Sequence, residues 1–193
     1  MKPTGNTSLI TGGTSGIRLA LAVTLQAAGN KLIIAGRRQA LLDQASHAHP
    51  GMTGYALDMA DVAGIAGFAA KLVKDHPDLN VLINNAGIMQ AEDLVKADFD
   101  IAEITVTTNL PGPFRLTAAL LPHLMARASA TLINVTLGLV FVPLVATPTH
   151  KPPKQPSIPT ANPCAISFAT PRLRCRNSPH PPWMPLSPKR WAF

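Results

Sequence analysis

An α/β fold, a parallel sheet with helices on both faces, is predicted by three observations. Short runs of β-branched and apolar residues alternate along the chain with segments of helical period. The strand-like runs are continuously apolar, as in strands buried on both faces, rather than alternating apolar and polar. The first run ends on Gly12-Gly13-Thr14-Ser15-Gly16, from which a helical pattern starts at once, the order strand, glycine turn, helix.

The elements can be justified in chain order. Ser8 to Thr11 is the first strand. Ile17, Leu19, Ala20, Leu21, Val23 and Thr24 then recur at helical spacing up to Ala28-Gly29, where glycine stops the helix. Lys31 to Ala35 is a buried-type second strand, followed by Gly36-Arg37-Arg38 and a helix through Leu41, Leu42 and Ala45. Thr53 to Leu57 returns to strand period, a helix runs from Val62 to Lys74, and Val81 to Ile83 is the fourth strand. One long helix is expected from Asp98 to Arg127, then a fifth strand from Thr131 to Val135. No internal repeat interrupts this order.

Composition changes abruptly near Pro148. Residues 144–193 hold Lys151, Lys154, Arg172, Arg174, Arg176, Lys189 and Arg190, no Asp or Glu, and twelve of the nineteen prolines. The first 143 residues balance ten basic against ten acidic side chains, so the formal charge of +7 belongs wholly to the tail. The basic balance therefore gives no reason to expect a nucleic acid or membrane partner for the folded part. Two units are expected: a domain over residues 1–148, and a proline-rich basic tail over 149–193 in irregular, disordered coil. Met1 to Asn6 has no apolar signal-peptide run and no stretch of eighteen apolar residues occurs, which predicts a soluble cytoplasmic protein. Cys164 and Cys175 lie in the tail without ligand-like spacing, and no metal site is expected.

The turn after the first strand is where chemistry is expected. Free backbone N–H groups and the helix dipole at Thr11-Gly12-Gly13-Thr14-Ser15-Gly16-Ile17 favour a pyrophosphate. Together with Asn84-Asn85-Ala86-Gly87 after the fourth strand and Asn109 in the following helix, these residues resemble the classical short-chain dehydrogenase/reductase family from about Thr7 to Thr149. The resemblance implies a Rossmann-type doubly wound parallel sheet, truncated after the fifth strand, and NAD(P)-dependent hydride transfer to or from a small alcohol or carbonyl compound. It implies cofactor-binding roles for Gly12, Thr14, Ser15, Gly16, Ile17, Arg37, Asp58, Asn84, Ala86 and Gly87, with Asp58 near the adenine. It gives Asn109 and Lys154 catalytic positions. By residue type alone, Asp58 would more often be a helix-capping or solvated aspartate and Asn109 usually a buried hydrogen-bonded amide; the spacing of Asn109 from Asn84 and the family match favour the functional reading.

Charge bears on which cofactor binds. Gly36 occupies the end of the second strand, where NAD-specific members carry an acid, and Arg37-Arg38 follow. A 2′-phosphate would meet positive charge there, so NADP is favoured over NAD, although a solvated basic helix start fits the same residues.

Three departures from the family pattern predict a defective enzyme. The turn should end Gly-x-Gly, but its last position is Arg18, which should crowd the pyrophosphate or, alternatively, offer it charge. Counting without gaps from the fifth strand, the family's serine position is Leu137 and its tyrosine position His150. Only Lys154 fits, and Pro152 and Pro153 oppose the helix that should carry it. The usual family oligomer is also expected to be lost.

The genetic code suggests how the tail arose. Joining the third base of each codon from Lys151 onward to the first two bases of the next permits the string ATKAAIHSYSQSLRYQLRDT, which resembles the missing family segment, a lysine followed by an amphipathic helix. A one-base loss near codons 149–151 is therefore expected. The alternatives are an inactive nucleotide-binding module, or an interaction protein that uses a selected proline-rich tail to reach a partner groove.

Overall fold

The computed structural model describes residues 3–90, 99–135, 165–169 and 172–176. Parallel strands β1 (Thr7–Thr11), β2 (Lys31–Gly36), β3 (Met52–Ala56), β4 (Leu79–Asn84) and β5 (Ser129–Asn134) alternate with helices α1 (Gly16–Ala27), α2 (Gln39–Ala48), α3 (Val62–Asp75), α4 (Phe99–Asn109) and α5 (Pro111–Met125). Their order in the sheet is β3-β2-β1-β4-β5, so the winding reverses between β1 and β4. This is the Rossmann-like doubly wound sheet expected from the sequence.

Each strand divides its side chains between two apolar layers because successive residues point to opposite faces. Leu9, Ile33, Leu82 and Leu132 pack with Ile65, Phe68 and Leu72 of α3 and Leu116, Leu120 and Leu124 of α5. Ile10, Leu32, Ile34, Val81 and Ile83 pack on the other face with Ala22 of α1 and with Leu42 and Ala45 of α2. Burial on both faces explains the continuously apolar strand sequences.

Helix ends follow local chemistry. Gly29, at φ +84°, follows the last turn of α1 and its N–H bonds the carbonyl of Gln26. Asp61 caps α3, its Oδ1 accepting from Gly64 N–H at 3.0 Å. Two expectations need correction. The single helix from Asp98 to Arg127 is two, because Leu110 leaves the helical region at φ −122°, ψ −70° and Pro111 restarts the chain as α5. Proline at a helix start lacks only an N–H that would have had no intrahelical partner, so this break leaves the apolar spacing intact.

The parallel sheet ends at the fifth strand as expected, but two antiparallel strands are added within the segment expected to be irregular coil. Strand β6 (Ala165–Ala169) pairs antiparallel with β5, and β7 (Arg172–Arg176) pairs antiparallel with β6. Both lie in proline-free windows bounded by Pro163, Pro171 and Pro179, so neither loses a ladder N–H to proline. β6 also covers the edge that β5 would otherwise leave open.

Candidate functional site

The reversal between β1 and β4 opens a crevice at their carboxyl ends, where open α/β sheets bind ligands. Its floor begins at Thr11, whose buried Oγ1 accepts from both Asn85 N–H (3.0 Å) and Ala86 N–H (2.9 Å). The segment after β4 is thereby tied to the end of β1. Gly12 follows at φ +73°, and its N–H bonds Ala35 O at 2.7 Å. A Cβ on Gly12 would lie 2.9 Å from Ala86 Cα, so both the backbone conformation and the close approach require glycine.

α1 opens from this turn with no side-chain cap from Ser15 and no acidic residue in its first turn. Its first N–H groups and positive dipole end are thus available to an anion. A cavity of about 170 Å³ lies beside them, lined by Thr11, Gly12, Thr14 and Ser15 of the turn, Gly36, Arg37 and Arg38 after β2, Leu57 and Met59 after β3, and Ala86, Gly87 and Ile88 after β4. Arg18, Ala35 and Thr108 also line it.

The cofactor-binding candidates singled out from the sequence fall into four groups. Gly12, Thr14, Ser15, Arg37, Ala86 and Gly87 are brought together around the cavity. Gly16 and Ile17 stand at the mouth of α1, with Ile17 89% exposed. Asn84 lies beneath, its Nδ2 donating to Thr117 Oγ1 and Asn134 Oδ1 at 2.9 Å each while its buried Oδ1 has no partner among the described residues. Asp58 is exposed between the lining residues Leu57 and Met59, and its Oδ1 accepts from Ala60 N–H at 2.9 Å.

Asn109, the last residue of α4, clamps the backbone of Ile88: its Oδ1 accepts the N–H and its Nδ2 donates to the carbonyl, each at 2.9 Å. Both faces of this amide are therefore engaged in positioning the cavity wall. Leu137, His150 and Lys154, expected at the serine, tyrosine and lysine positions, lie outside the described residues.

Sequence reasoning did not anticipate Thr108 or the reach of Arg18. Thr108 is buried at the cavity with its Oγ1 unpartnered among the described residues, an orphan polar atom a ligand could satisfy. Arg18 Nη2 donates to Gly87 O at 3.0 Å, spanning the crevice from α1 to the segment after β4. Its identity was visible, but its partner depends on β1 and β4 being neighbours in the sheet.

The comparisons agree with this geometry. Residues 6–149 match the short chain dehydrogenase family, and the chain belongs to that family. It is 39% identical over 152 residues to an uncharacterized oxidoreductase, DltE, of Bacillus subtilis, covering 78% of this chain and 60% of that protein. It is 33% identical over 138 residues to an NADP-dependent 3-hydroxy acid dehydrogenase of Schizosaccharomyces pombe, covering 68% of this chain and 53% of that one. L-Sorbose reductase of Gluconobacter frateurii, solved with NADPH and L-sorbose, shares the fold at TM-score 0.70 and 23% identity, over 76% of this chain and 58% of the reductase. The chain thus spans little more than half the length of these relatives. Among the described residues, no helix is long and apolar enough to cross a membrane.

Proposed function

We infer that the chain is a nucleotide-binding member of an oxidoreductase family, with the crevice between β1 and β4 as its NAD(P) site and with hydride transfer lost. The observation that carries this reading is the cavity itself. It joins a glycine turn with no room for a Cβ at Gly12, an uncapped helix start and basic residues that follow β2, and none of the described residues that line it is acidic. These residues fit a nucleotide phosphate in charge, and the orphan Thr108 Oγ1 offers a further polar contact.

A bound nicotinamide would supply the hydride chemistry. This chain's residues do the rest. Gly12 and the amides at the start of α1 would hold phosphate, Arg37 would meet a ribose 2′-phosphate, and Thr11 and Asn109 fix the segment from Asn85 to Ile88 that forms the opposite wall. NADP is therefore favoured over NAD. Proton transfer to or from a small alcohol or carbonyl substrate is what the chain lacks, because Leu137 and His150 stand at the serine and tyrosine positions. Losing a general acid–base typically costs about two to four orders of magnitude in rate.

The end of the family match at residue 149 supports a change of reading frame near codons 149–151, and so a tail that does not continue the family sequence. Sequencing the gene across those codons checks that origin. The functional test is an assay of full-length protein with NADP and a panel of secondary alcohols, run beside a calorimetric titration. Binding without turnover is expected. Steady turnover abolished by Lys154→Ala would overturn the reading.

A further inference from the structure

Three arginines line a single cavity of about 170 Å³, and none of the described residues that line it is acidic. That volume is below the roughly 300–1,000 Å³ of sites that take drug-sized ligands. Arg37 and Arg38 enter from the end of β2, on one side of the glycine turn. Arg18 enters from the first turn of α1 and reaches the other way, to Gly87 O after β4. A ligand extending from one half of a doubly wound sheet to the other must pass between β1 and β4, and the Arg18 guanidinium lies across that passage.

Both ends of this contact are fixed. Arg18 stands in the first turn of a helix. Its acceptor lies between Ala86, whose N–H is held by Thr11 Oγ1, and Ile88, whose backbone is clamped by Asn109. A guanidinium donor makes the hydrogen bond a charge-assisted one.

Resting on the nucleotide reading above, we propose that Arg18 bolts the crevice shut beside Gly87, so that the site takes a phosphorylated adenosine, a mononucleotide, in preference to a whole dinucleotide. The phosphate-bearing nucleoside sits between the glycine turn and Arg37-Arg38. The second nucleoside is shut out unless the bolt breaks.

Calorimetry on the full-length chain with adenosine 2′,5′-bisphosphate and with NADPH tests this, using the wild type, Arg18→Ala and Arg18→Gln. The glutamine variant keeps helix propensity, and thermal melts of all three proteins establish that each is folded. The wild type should bind the bisphosphate at least as tightly as NADPH. Both variants should leave the bisphosphate Kd within about threefold and tighten NADPH roughly tenfold to a hundredfold. A wild type that prefers NADPH, or variants that bind NADPH no better, would overturn the bolt while leaving the nucleotide reading intact. Failure of both ligands to bind the wild type and both folded variants would overturn the nucleotide reading and the bolt with it.

Discussion

The two ends of the sheet treat polar side chains in opposite ways. At the amino end, Asn30 Oδ1 accepts from both the backbone N–H and the Nδ2 of Asn6, while its Nδ2 donates to Leu25 O and Pro3 O. Asn80 donates to Asn6 Oδ1 and accepts from Thr7 N–H, and Asp78 accepts from Thr7 Oγ1 and Lys31 Nζ. At the carboxyl end, Asn84 Oδ1 and Thr108 Oγ1 are buried and unpartnered among the described residues, and three arginines line a cavity. Buried polar groups are ordinarily hydrogen-bonded, so the first arrangement holds strands together, and the second is what the proposed ligand site would require. The contrast is one of networks rather than of every atom: Ser8 Oγ, near the amino end of β1, is also buried and unpartnered among the described residues, and Thr11 and Asn109 are bonded at the carboxyl end.

The largest effect should come from breaking the amino-end network. Asn30→Ala removes the Oδ1 that accepts from both the backbone N–H and the Nδ2 of Asn6 and should lower unfolding free energy by about 3 kcal/mol in urea titrations. Nucleotide affinity of the remaining folded protein should not change. A parallel loss of affinity would show that the two ends are coupled and break the contrast.

Gly12→Ala should cost about 1–3 kcal/mol, since it imposes a Cβ at φ +73° against Ala86. Unlike Asn30→Ala, it should also weaken nucleotide binding, which calorimetry reads directly.

A matched pair of threonine substitutions sharpens the contrast further. Thr7→Val removes the donor to Asp78 and should destabilise by about 1 kcal/mol. Thr108→Val removes a hydroxyl with no partner among the described residues and should be neutral or stabilising by up to about 1 kcal/mol, while weakening binding. The same sign of stability change in both would contradict the distinction.

The smallest effect is one of pH. Burial would raise the Asp78 carboxyl, but hydrogen bonds from Lys31 and Thr7 outweigh it and hold its pKa below the ordinary carboxylate value. A depressed folded pKa contributes stability that is present above the unfolded value and lost as pH falls through the folded one. Asp78→Asn should therefore flatten the acid limb of the stability curve below about pH 4. Because the pair is partly exposed, the change should stay under about 1 kcal/mol.

Legibility in the sequence tracks locality. β1, the glycine turn and α1 could be read because period, turn residues and helix stop all lie within a few residues of one another. The break between α4 and α5 was hidden because Pro111 at a helix start leaves the apolar spacing undisturbed. β6 and β7 were hidden because the tail was read by average composition, whereas pairing depends only on the proline-free windows within it. At the site, the glycine turn and the Asn-Asn-Ala-Gly segment were legible as motifs. The Asn109 clamp on Ile88 and the reach of Arg18 to Gly87 were not, since each joins residues far apart in sequence through strand order.

Hydrogen exchange of the full-length chain, with and without saturating adenosine 2′,5′-bisphosphate, tests most directly whether the carboxyl end is the ligand-facing one. Slowed exchange should be confined to the amides of Gly12 to Arg18 and Gly36 to Arg38, with Asn6, Asn30 and Asn80 unchanged. Protection absent from the glycine turn, or appearing first at the amino end, would contradict the assignment of the crevice as a nucleotide site.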